Sequence, residues 1–241
     1  MNHYYINLEK RTDRKKNMEE LFSKLDLQAK RIEGVDGTLV DYEKLLENKM
    51  DVCKTWLDPL EDRPLTPGEV GCMLSHTIAW RQIVKTGQPG VILEDDLYHA
   101  KPTYNITQIQ ERLDEFDLVY LSKYNMDDNA VGFDDLFEIP GYCYWTAGYA
   151  LSVEGAKKLL NETALQNLIP ADEYLPMMLG TSPLMEKYPQ FESLPKLKGL
   201  AYKENVFQPY SRNTEIGKTD TENNIRFKDW KKFNVISVAT V

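Results

Sequence analysis

The pattern of apolar and polar positions in the first 35 residues predicts a strand, a helix and a second strand. The strands are expected over residues 4–8 and 31–35. Between them, apolar residues recur at spacings of three and four, which predicts a helix with one apolar face: Met18, Leu21, Phe22 and Leu25. A strand, a helix and a strand in this order form the unit of a parallel sheet.

A longer helix is predicted from a capping motif followed by an apolar stripe. In "TPGE" at residues 66–69, threonine caps the helix, proline occupies its first turn and glutamate lies three residues after the cap. We expect this helix to run to about residue 86. It should bury one face: Met73, Leu74, Thr77, Ile78, Trp80 and Val84. A turn at residues 88–90 then leads into a buried strand, "VIL", at residues 91–93.

The rest of the pattern predicts an α/β fold. Shorter elements are expected as a helix over 42–49, strands over 118–122 and 149–151, a helix over 153–160 and a helix from residue 172. We predict a single domain over residues 1–241, with a core over about 1–180 and an irregular C-terminal segment over 181–241.

Composition and charge narrow the class of protein. The 241 residues include 42% hydrophobic residues, enough for a sizeable core, and carry a formal net charge of -9. A general nucleic-acid binder is excluded, because no basic surplus exists to displace counterions. The three cysteines lack the spacing of a zinc site or a disulfide framework. Without a recognisable signal peptide or membrane span, we expect a cytoplasmic protein, or one in the host cytoplasm if the source is a virus.

Three consecutive carboxylates follow the predicted buried strand in the stretch "VILEDDL". Open α/β sheets bind ligands at the carboxyl ends of their strands, which is where these side chains lie. In an extended chain, Glu94 and Asp96 point to one side and Asp95 to the other. Two converging carboxylates suit a hard divalent cation that also binds phosphate oxygens, as transfer from a nucleotide sugar requires. A solvated acidic turn is the alternative for this motif taken alone.

Six sequence blocks resemble those of glycosyltransferase family 25 and occur in that family's order. They are "YYINLEKRTDRKKNMEELF", "RIEGVDG", "LTPGEVGCMLSHTIAWRQIV", "VILEDDL", "YWTAGYALSVEGAKKLL" and "LIPADEYLPMML". The last two are particularly similar to the collagen-modifying branch. The resemblance implies a GT-A type nucleotide-diphospho-sugar transferase fold with a mostly parallel central sheet flanked by helices. It also implies inverting transfer from a UDP-sugar and a divalent metal, usually Mn²⁺, with Mg²⁺ as the alternative.

The resemblance assigns roles to the acidic residues of the fourth block. Glu94, Asp95 and Asp96 fall on the family's acidic triplet. Asp96 is the first choice for direct metal contact, and Glu94 is assigned to the metal or the ribose. Asp95 is assigned to the donor site with them.

Residues near the ends of the first two strands are expected to bind the nucleotide. Asn7 and Leu8 end the first strand, where a base and ribose could lie against exposed backbone. Arg11 and Arg14 follow, and a guanidinium pairs well with a diphosphate. A solvated helix start is the alternative for these two arginines.

Four more residues are assigned to the donor site by their positions in the family's blocks: Asp36, Gly37, Ser75 and His76. Asp36 is expected to touch the nucleoside, whereas Gly37 has a simple turn as its alternative. Ser75 and His76 lie inside the long helix. A satisfied structural histidine is the alternative for His76.

The acceptor side is expected at an aromatic stretch and at the motif "PADEY". Trp145 and Thr146 are the expected wall of an acceptor or sugar pocket, and Gly148 permits close backbone approach; core packing is the alternative. The implied inverting displacement needs a general base. Asp172 is the first choice and Glu173 the second, at a helix start whose dipole stabilises a carboxylate. An ordinary acidic N-cap is the alternative there.

The sequence thus predicts a metal-dependent inverting hexosyltransferase. It is expected to move galactose or glucose from a UDP-sugar to a hydroxyl acceptor, hydroxylysine of a collagen-like protein. A glycan acceptor of the lipooligosaccharide type is the first alternative, and an inactive carbohydrate-binding homologue is the second. Collagen-type members carry a histidine near their "SDTE" stretch, whereas all three histidines here precede residue 100. Any metal ligand from residues 181–241, the expected acceptor-side segment, is therefore another residue or water.

Overall fold

The computed structural model describes residues 1–101, 104–211, 214–218 and 220, with only the backbone of residues 99 and 100. The chain begins with β1 (Asn2–Asn7), α1 (Thr12–Lys24) and β2 (Lys30–Glu33). β1 and β2 are adjacent and parallel. The strand, helix and strand predicted from the first 35 residues are confirmed.

The middle of the chain supplies the longest helix and most of the strands. It comprises α2 (Tyr42–Glu47), α3 (Pro67–Thr86), β3 (Gly90–Glu94), β4 (Leu97–Ala100), α4 (Ile106–Arg112), β5 (Leu118–Asn125), β6 (Val131–Gly132), β7 (Phe137–Ile139) and β8 (Cys143–Leu151). After it come α5 (Val153–Leu159), α6 (Glu162–Leu165), α7 (Ala171–Leu179), β9 (Gly199–Tyr202) and β10 (Phe207–Pro209).

The central sheet has eight strands in the order β2-β1-β3-β8-β5-β9-β7-β6. β3 runs parallel to β1, and β9 runs parallel to β5. β8 runs antiparallel between β3 and β5, and β7 runs antiparallel between β9 and β6. A large mixed sheet in which most strands share one direction, flanked by helices, confirms the predicted α/β fold of GT-A type.

Each face of the sheet carries its own hydrophobic core, because successive side chains of a strand point to opposite faces. Ile92 of β3 packs with α3 and α7 through Trp80 and Tyr174. Its neighbours Val91 and Leu93 belong to the core on the other face, which also contains side chains of α1 and α4. β3 is therefore buried on both sides, and its carboxyl end is held rigidly.

Local signals fix both ends of α3. Thr66 Oγ1 accepts a hydrogen bond from Glu69 N at 3.1 Å, and Glu69 Oε2 accepts one from Thr66 N at 2.7 Å, which together form a capping box. Gly87 ends the helix with φ of 64°. The predicted helix is confirmed at both ends, although Ile78 and Val84 of its predicted buried face are only half-buried.

The part of the chain after residue 180 contributes to the same sheet. β9 lies between β5 and β7 in the central sheet. The division at residue 180 stays a prediction, and residues 221–241 of the predicted C-terminal segment lie outside the described residues. Within the described ranges, no helix combines the length and the apolar character that a membrane span needs.

Candidate active site

The site lies at the edge of the sheet where the parallel strands β1 and β3 end side by side. α3 passes beneath this edge, and α7 begins across β8 from it. A cavity of about 160 Å³ at this edge is lined by residues at the ends of β1 and β3, by the loop after β2 and by side chains of α1 and α3. Its lining contains most of the residues predicted to bind the donor: Leu8, Arg14, Asp36, Gly37, Ser75, His76, Glu94, Asp95 and Asp96.

Glu94 is held in place by a chain of hydrogen bonds that runs from the core. Trp80 Nε1 donates to Tyr149 Oη at 2.8 Å, so the tyrosine's own proton is free for His76 Nδ1, also 2.8 Å away. His76 then carries its proton on Nε2 and donates it to Glu94 Oε1 at 3.2 Å. Burial alone would raise the pKa of Glu94, but the hydrogen bond from His76 lowers it. His76 is thus a buried support for Glu94.

Asp95 makes a different set of contacts from its two neighbours. Asn7 Nδ2 donates to Asp95 Oδ2 at 2.7 Å, and Arg14 Nη1 donates to Asp95 Oδ1 at 2.7 Å. Arg31 Nε in turn donates to Asn7 Oδ1 at 2.9 Å. Burial raises the pKa of Asp95 despite the nearby Arg14. Asp95 therefore joins β1, α1 and β3 behind the cavity.

Asp96 is the acid whose surroundings fit a cation. Its Oδ1 is buried and has no hydrogen-bond partner among the described residues, and its Oδ2 lies 3.7 Å from Arg14 Nη2. Burial and the charge of Glu94 raise the pKa of Asp96 to about 7. A buried carboxylate without a partner is unfavourable, and a bound divalent cation would relieve it. Glu94 and Asp96 thus fit the metal that the sequence predicts.

A second group of possible metal ligands lies beside the first. Cys72 Sγ, a ring nitrogen of His76 and a carboxylate oxygen of Glu94 all lie within 4.8 Å of one another. Burial and neighbouring carboxylates, Glu94 first, raise the pKa of the Cys72 thiol well above its usual range, which disfavours the thiolate that metals bind. The sequence analysis missed Cys72, although it lies one helical turn before His76 and on the same face.

Arg11 and Arg14 line up beside the cavity and bind the polypeptide itself. Arg11 pairs with Asp13 at 2.9 Å and with Asp220 at 2.8 Å, and Arg14 pairs with Asp95 at 2.7 Å. Both guanidinium groups also donate to the backbone carbonyls of residues 216 and 218, and Arg11 donates to that of residue 215 as well. A diphosphate would have to replace these carbonyls, so the predicted contact of the two arginines with the donor stays a prediction.

The loop after β2 is fixed closely against α3. Ser75 Oγ accepts from Val35 N at 2.8 Å and donates to Gly71 O at 2.7 Å. A Cβ at Gly37 would lie 1.5 Å from Pro67 O, so only glycine fits there. Ser75 and Gly37 therefore shape the cavity wall. Lys10, which the sequence analysis did not single out, donates to Asp36 Oδ2 at 2.8 Å on the same wall.

The two adjacent acids at the start of α7 point in different directions. Asp172 Oδ1 accepts from Thr146 N at 2.8 Å, and Thr146 Oγ1 donates to Glu94 Oε1 at 2.5 Å. Glu173 is only 3% exposed and accepts from the hydroxyls of Tyr142 and Tyr144. Burial raises the pKa of Asp172 to about 6 and that of Glu173 to about 7. Asp172 thus lies near Glu94, whereas Glu173 is turned into the protein.

Trp145 sits between these contacts in an unusual backbone conformation. Its φ is 80°, in a region that costs a residue other than glycine on the order of 1–3 kcal/mol. Its ring lies 5.5 Å from that of Tyr124, measured between ring centroids. Gly148 is buried, and a Cβ there would lie 3.2 Å from Leu93 Cδ2, so close packing explains the glycine. A pocket role for Gly148 stays a prediction.

Comparison with known proteins decides the family. The model of glycosyltransferase family 25 (LPS biosynthesis protein) matches residues 1–175. The chain belongs to glycosyltransferase family 25. The resemblance seen in the six sequence blocks is therefore confirmed, and the matched residues include the acids of β3 and of α7.

Curated relatives in glycosyltransferase family 25 match at moderate identity. A "Glycosyltransferase 25 family member" of Anopheles gambiae is 32% identical over 237 residues, which cover 95% of this chain and 40% of the relative. Procollagen galactosyltransferase 1 of Danio rerio is 33% identical over 199 residues, 78% of this chain and 33% of the relative. Procollagen galactosyltransferase 2 of Mus musculus is 31% identical over 201 residues, 79% and 32% respectively. The chain thus spans between about a third and two fifths of these relatives' lengths.

Proposed function

We propose that this chain is a metal-dependent inverting hexosyltransferase that moves galactose, or else glucose, from a UDP-sugar to an acceptor hydroxyl. The observation that carries this proposal is the position of Thr146, which hydrogen-bonds both Glu94 and Asp172. One carboxylate suited to a cation and another suited to a base thereby meet at one residue. Transfer from a nucleotide sugar needs these two functions next to each other.

Glu94 and Asp96 are proposed to hold Mn²⁺ or Mg²⁺. The buried Oδ1 of Asp96 has no hydrogen-bond partner among the described residues, which supports this assignment. The fixed position of Glu94 beside it supports it as well. A cation bound there would neutralise charge on a departing diphosphate. The hydrogen bonds from His76 and Thr146 orient the Glu94 carboxylate, which favours one productive geometry.

The UDP moiety is proposed to occupy the cavity at the ends of β1 and β3. A second groove, of about 760 Å³, adjoins it at Leu8 and Asp36 and has apolar side chains in its wall. Such a wall suits a nucleoside base, while the cavity proper suits the ribose and phosphates. Arg11 and Arg14 would then exchange backbone carbonyls for phosphate oxygens, which their fork of donors matches.

Asp172 is proposed as the general base. The acceptor oxygen attacks C1 of the hexose on the face opposite the diphosphate, so that the new O–C1 bond forms as the bond from C1 to the phosphate oxygen breaks. The proton of the acceptor hydroxyl passes to the Asp172 carboxylate. A pKa of about 6 keeps this group mostly ionised at neutral pH and still basic enough to take the proton.

The proposed acceptor is hydroxylysine in a collagen-like chain. Support comes from the names of relatives, since procollagen galactosyltransferases of fish and mouse align with more than three quarters of this chain. A glycan acceptor is the second candidate, because the family description names LPS biosynthesis. Trp145 and Thr146 are proposed to flank the path of either acceptor, which is supported by the hydrogen bond from Thr146 to Glu94.

A panel of donors and acceptors tests this proposal. UDP-galactose, UDP-glucose and UDP-N-acetylglucosamine are incubated with Mn²⁺, Mg²⁺ or EDTA, and transfer to hydroxylysine, galactosyl-hydroxylysine and a lipooligosaccharide core is measured by mass spectrometry. We expect transfer from UDP-galactose to hydroxylysine that requires the divalent cation. Transfer only to the lipooligosaccharide core would move the assignment to the glycan acceptor. Equal transfer in EDTA would exclude the metal-dependent reaction.

A further inference from the structure

The first turn of α7 holds both neighbours of Trp145. Glu173 accepts a hydrogen bond from the Tyr144 hydroxyl, and Asp172 Oδ1 accepts one from Thr146 N at 2.8 Å. Two consecutive carboxylates of one helix therefore tie down the residues before and after the tryptophan. We call this arrangement, Tyr144, Trp145 and Thr146 with Asp172 and Glu173, the tryptophan clamp.

The tryptophan clamp sits at a bulge in the sheet. Ser122 of β5 pairs with Gly148, and Tyr124 of β5 pairs with Tyr144. One residue of β5 thus lies opposite three residues of β8, which forces the three out of the regular ladder. Trp145 is the first of these three residues, and its backbone is strained, with φ of 80°. A residue without special backbone freedom keeps such a conformation only where surrounding contacts enforce it.

The bulge presents an aromatic surface beside the reacting groups. The ring of Trp145 is half-buried, and that of Tyr124 is 55% exposed at a centroid distance of 5.5 Å. Thr146, the next residue, touches both Glu94 and Asp172. The orientation of Trp145 is therefore coupled to the same residues that the transfer reaction uses.

We propose that Glu173 is a positioning residue that, through Tyr144, fixes Trp145 so that Trp145 and Tyr124 form the docking surface for the acceptor. This inference rests on the proposed function and deepens it, because it assigns acceptor recognition to a buried carboxylate that does not touch the acceptor. The contacts oppose a role for Glu173 as the base: both of its oxygens accept from Tyr142 Oη, at 2.9 and 3.0 Å, and Tyr144 adds another donor.

A pair of tyrosine variants tests the tryptophan clamp. Tyr144→Phe and Tyr142→Phe each remove one hydroxyl from the same carboxylate. Tyr142 Oη also lies 3.0 Å from Tyr144 Oη, but only Tyr144 is bonded to Trp145 in the chain. We expect Tyr144→Phe and Glu173→Gln to raise the KM for the acceptor about tenfold, while kcat and the affinity for UDP with Mn²⁺ stay within about twofold. Tyr142→Phe, the matched control, should change the acceptor KM by less than about twofold.

A double-mutant cycle separates positioning from a general loss of structure. In a Trp145→Gly background, glycine adopts the positive φ freely and the docking ring is gone, so Glu173→Gln should add nothing to the acceptor KM. A measurement independent of activity is acrylamide quenching of Trp145 fluorescence. The Trp145 component is the part of the emission that disappears in Trp145→Gly. We expect that component to become more accessible in Tyr144→Phe.

Three outcomes would overturn the inference. A fall in kcat of about 100-fold in Glu173→Gln, with the acceptor KM unchanged, would make Glu173 part of the chemistry. Parental KM values in both Glu173→Gln and Tyr144→Phe would remove the positioning role. Additive effects of Glu173→Gln and Trp145→Gly would do the same. By contrast, a parent protein that neither binds UDP with Mn²⁺ nor transfers sugar would refute the proposed function itself.

Discussion

The acidic run at the end of β3 and the acidic pair at the start of α7 resemble each other in one respect. In each, adjacent acidic side chains make different kinds of contact. Asp95 and Glu173 each engage both carboxylate oxygens with other side chains of the protein. Asp96 has a buried oxygen without a partner in the described part of the chain, and Asp172 is held through Oδ1 by the backbone of Thr146. In each run, one of two adjacent acids therefore holds the structure, and the other is the one to which we assign the proposed chemistry.

The two runs differ in how this division arises. Along β3 and the residues after it, successive side chains alternate in direction, which separates Asp95 from Glu94 and Asp96. At the start of α7, successive side chains are about 100° apart around the helix axis, which turns Asp172 toward Thr146 and Glu173 toward the tyrosines. In both cases neighbours in the sequence face different environments, so their substitutions should have different consequences.

The largest expected effect is at Asp96. Asp96→Asn keeps the shape of the side chain but removes the charge proposed to hold the cation, and we expect transfer to fall by more than about 10⁴-fold because metal stabilisation of the departing charge is worth several kcal/mol. Calorimetry should show that UDP binding no longer depends on Mn²⁺. Asp128→Asn, at an exposed acid, is the control. Parental Mn²⁺ affinity in Asp96→Asn would remove this residue from the metal site.

The next effect is at Asp172. Asp172→Asn preserves an oxygen that can accept from Thr146 N, but it cannot take the acceptor proton, so we expect kcat to fall by about 10³-fold. Binding of UDP-galactose with Mn²⁺ should be unchanged by calorimetry. Glu173→Gln is the matched comparison within the same pair, with kcat expected to stay near the parental value. Transfer at the parental rate in Asp172→Asn would mean that another group is the base.

The comparison also predicts opposite effects on stability within the run after β3. Asp95→Ala leaves Arg14, whose side chain is 10% exposed, without its closest counter-charge, and we expect a loss of about 3 kcal/mol in the free energy of unfolding. Asp96→Ala removes a carboxylate whose buried Oδ1 has no partner among the described residues and whose Oδ2 lies 3.7 Å from Arg14, so the metal-free protein should keep its stability or gain some. Urea denaturation in EDTA measures both. Equal losses in the two variants would contradict the division of roles.

The sequence predicts the parts of the fold that depend on local signals. α3 is predicted at both ends because its capping box and the turn at residues 88–90 are local signals that span three or four residues. β8 was predicted only over its last three residues, since the bulge around Trp145 breaks the alternation that marks a strand. β6, β7 and β10 contain two or three residues each, too few for a period to be visible.

The sequence suggests candidate site residues where residue type alone indicates the chemistry. The carboxylates of "EDD" and "ADE" are such cases, because their spacing and position after a strand or at a helix start are visible in the sequence. The contacts that distinguish Asp95 from Asp96 are not, since they join residues 81 and 88 positions apart. The spacing of Tyr142 and Tyr144 is a sequence signal that was not used. Residues two apart in a strand share a face, so both hydroxyls can contact the Glu173 carboxylate.

The smallest expected effect, and the one that depends most on Asp172 alone, is in the pH profile. Burial and the charge of Glu94 raise the pKa of Asp172 from about 3.8 to about 6. A base acts only when ionised, so kcat at saturating donor, acceptor and Mn²⁺ should fall about tenfold for each pH unit below the pKa of Asp172 in that complex, which lies below the metal-free value because Mn²⁺ offsets the charge of Glu94. Saturation with the metal keeps the titration of Asp96 out of this profile. An NMR titration of the Asp172 carboxyl in the metal-free protein measures the same group directly, and its midpoint should fall in Glu94→Gln because a repelling charge has been removed. A midpoint near 4 in the parent protein would mean that Asp172 is too well solvated to be the base, whatever the kinetics of Asp172→Asn.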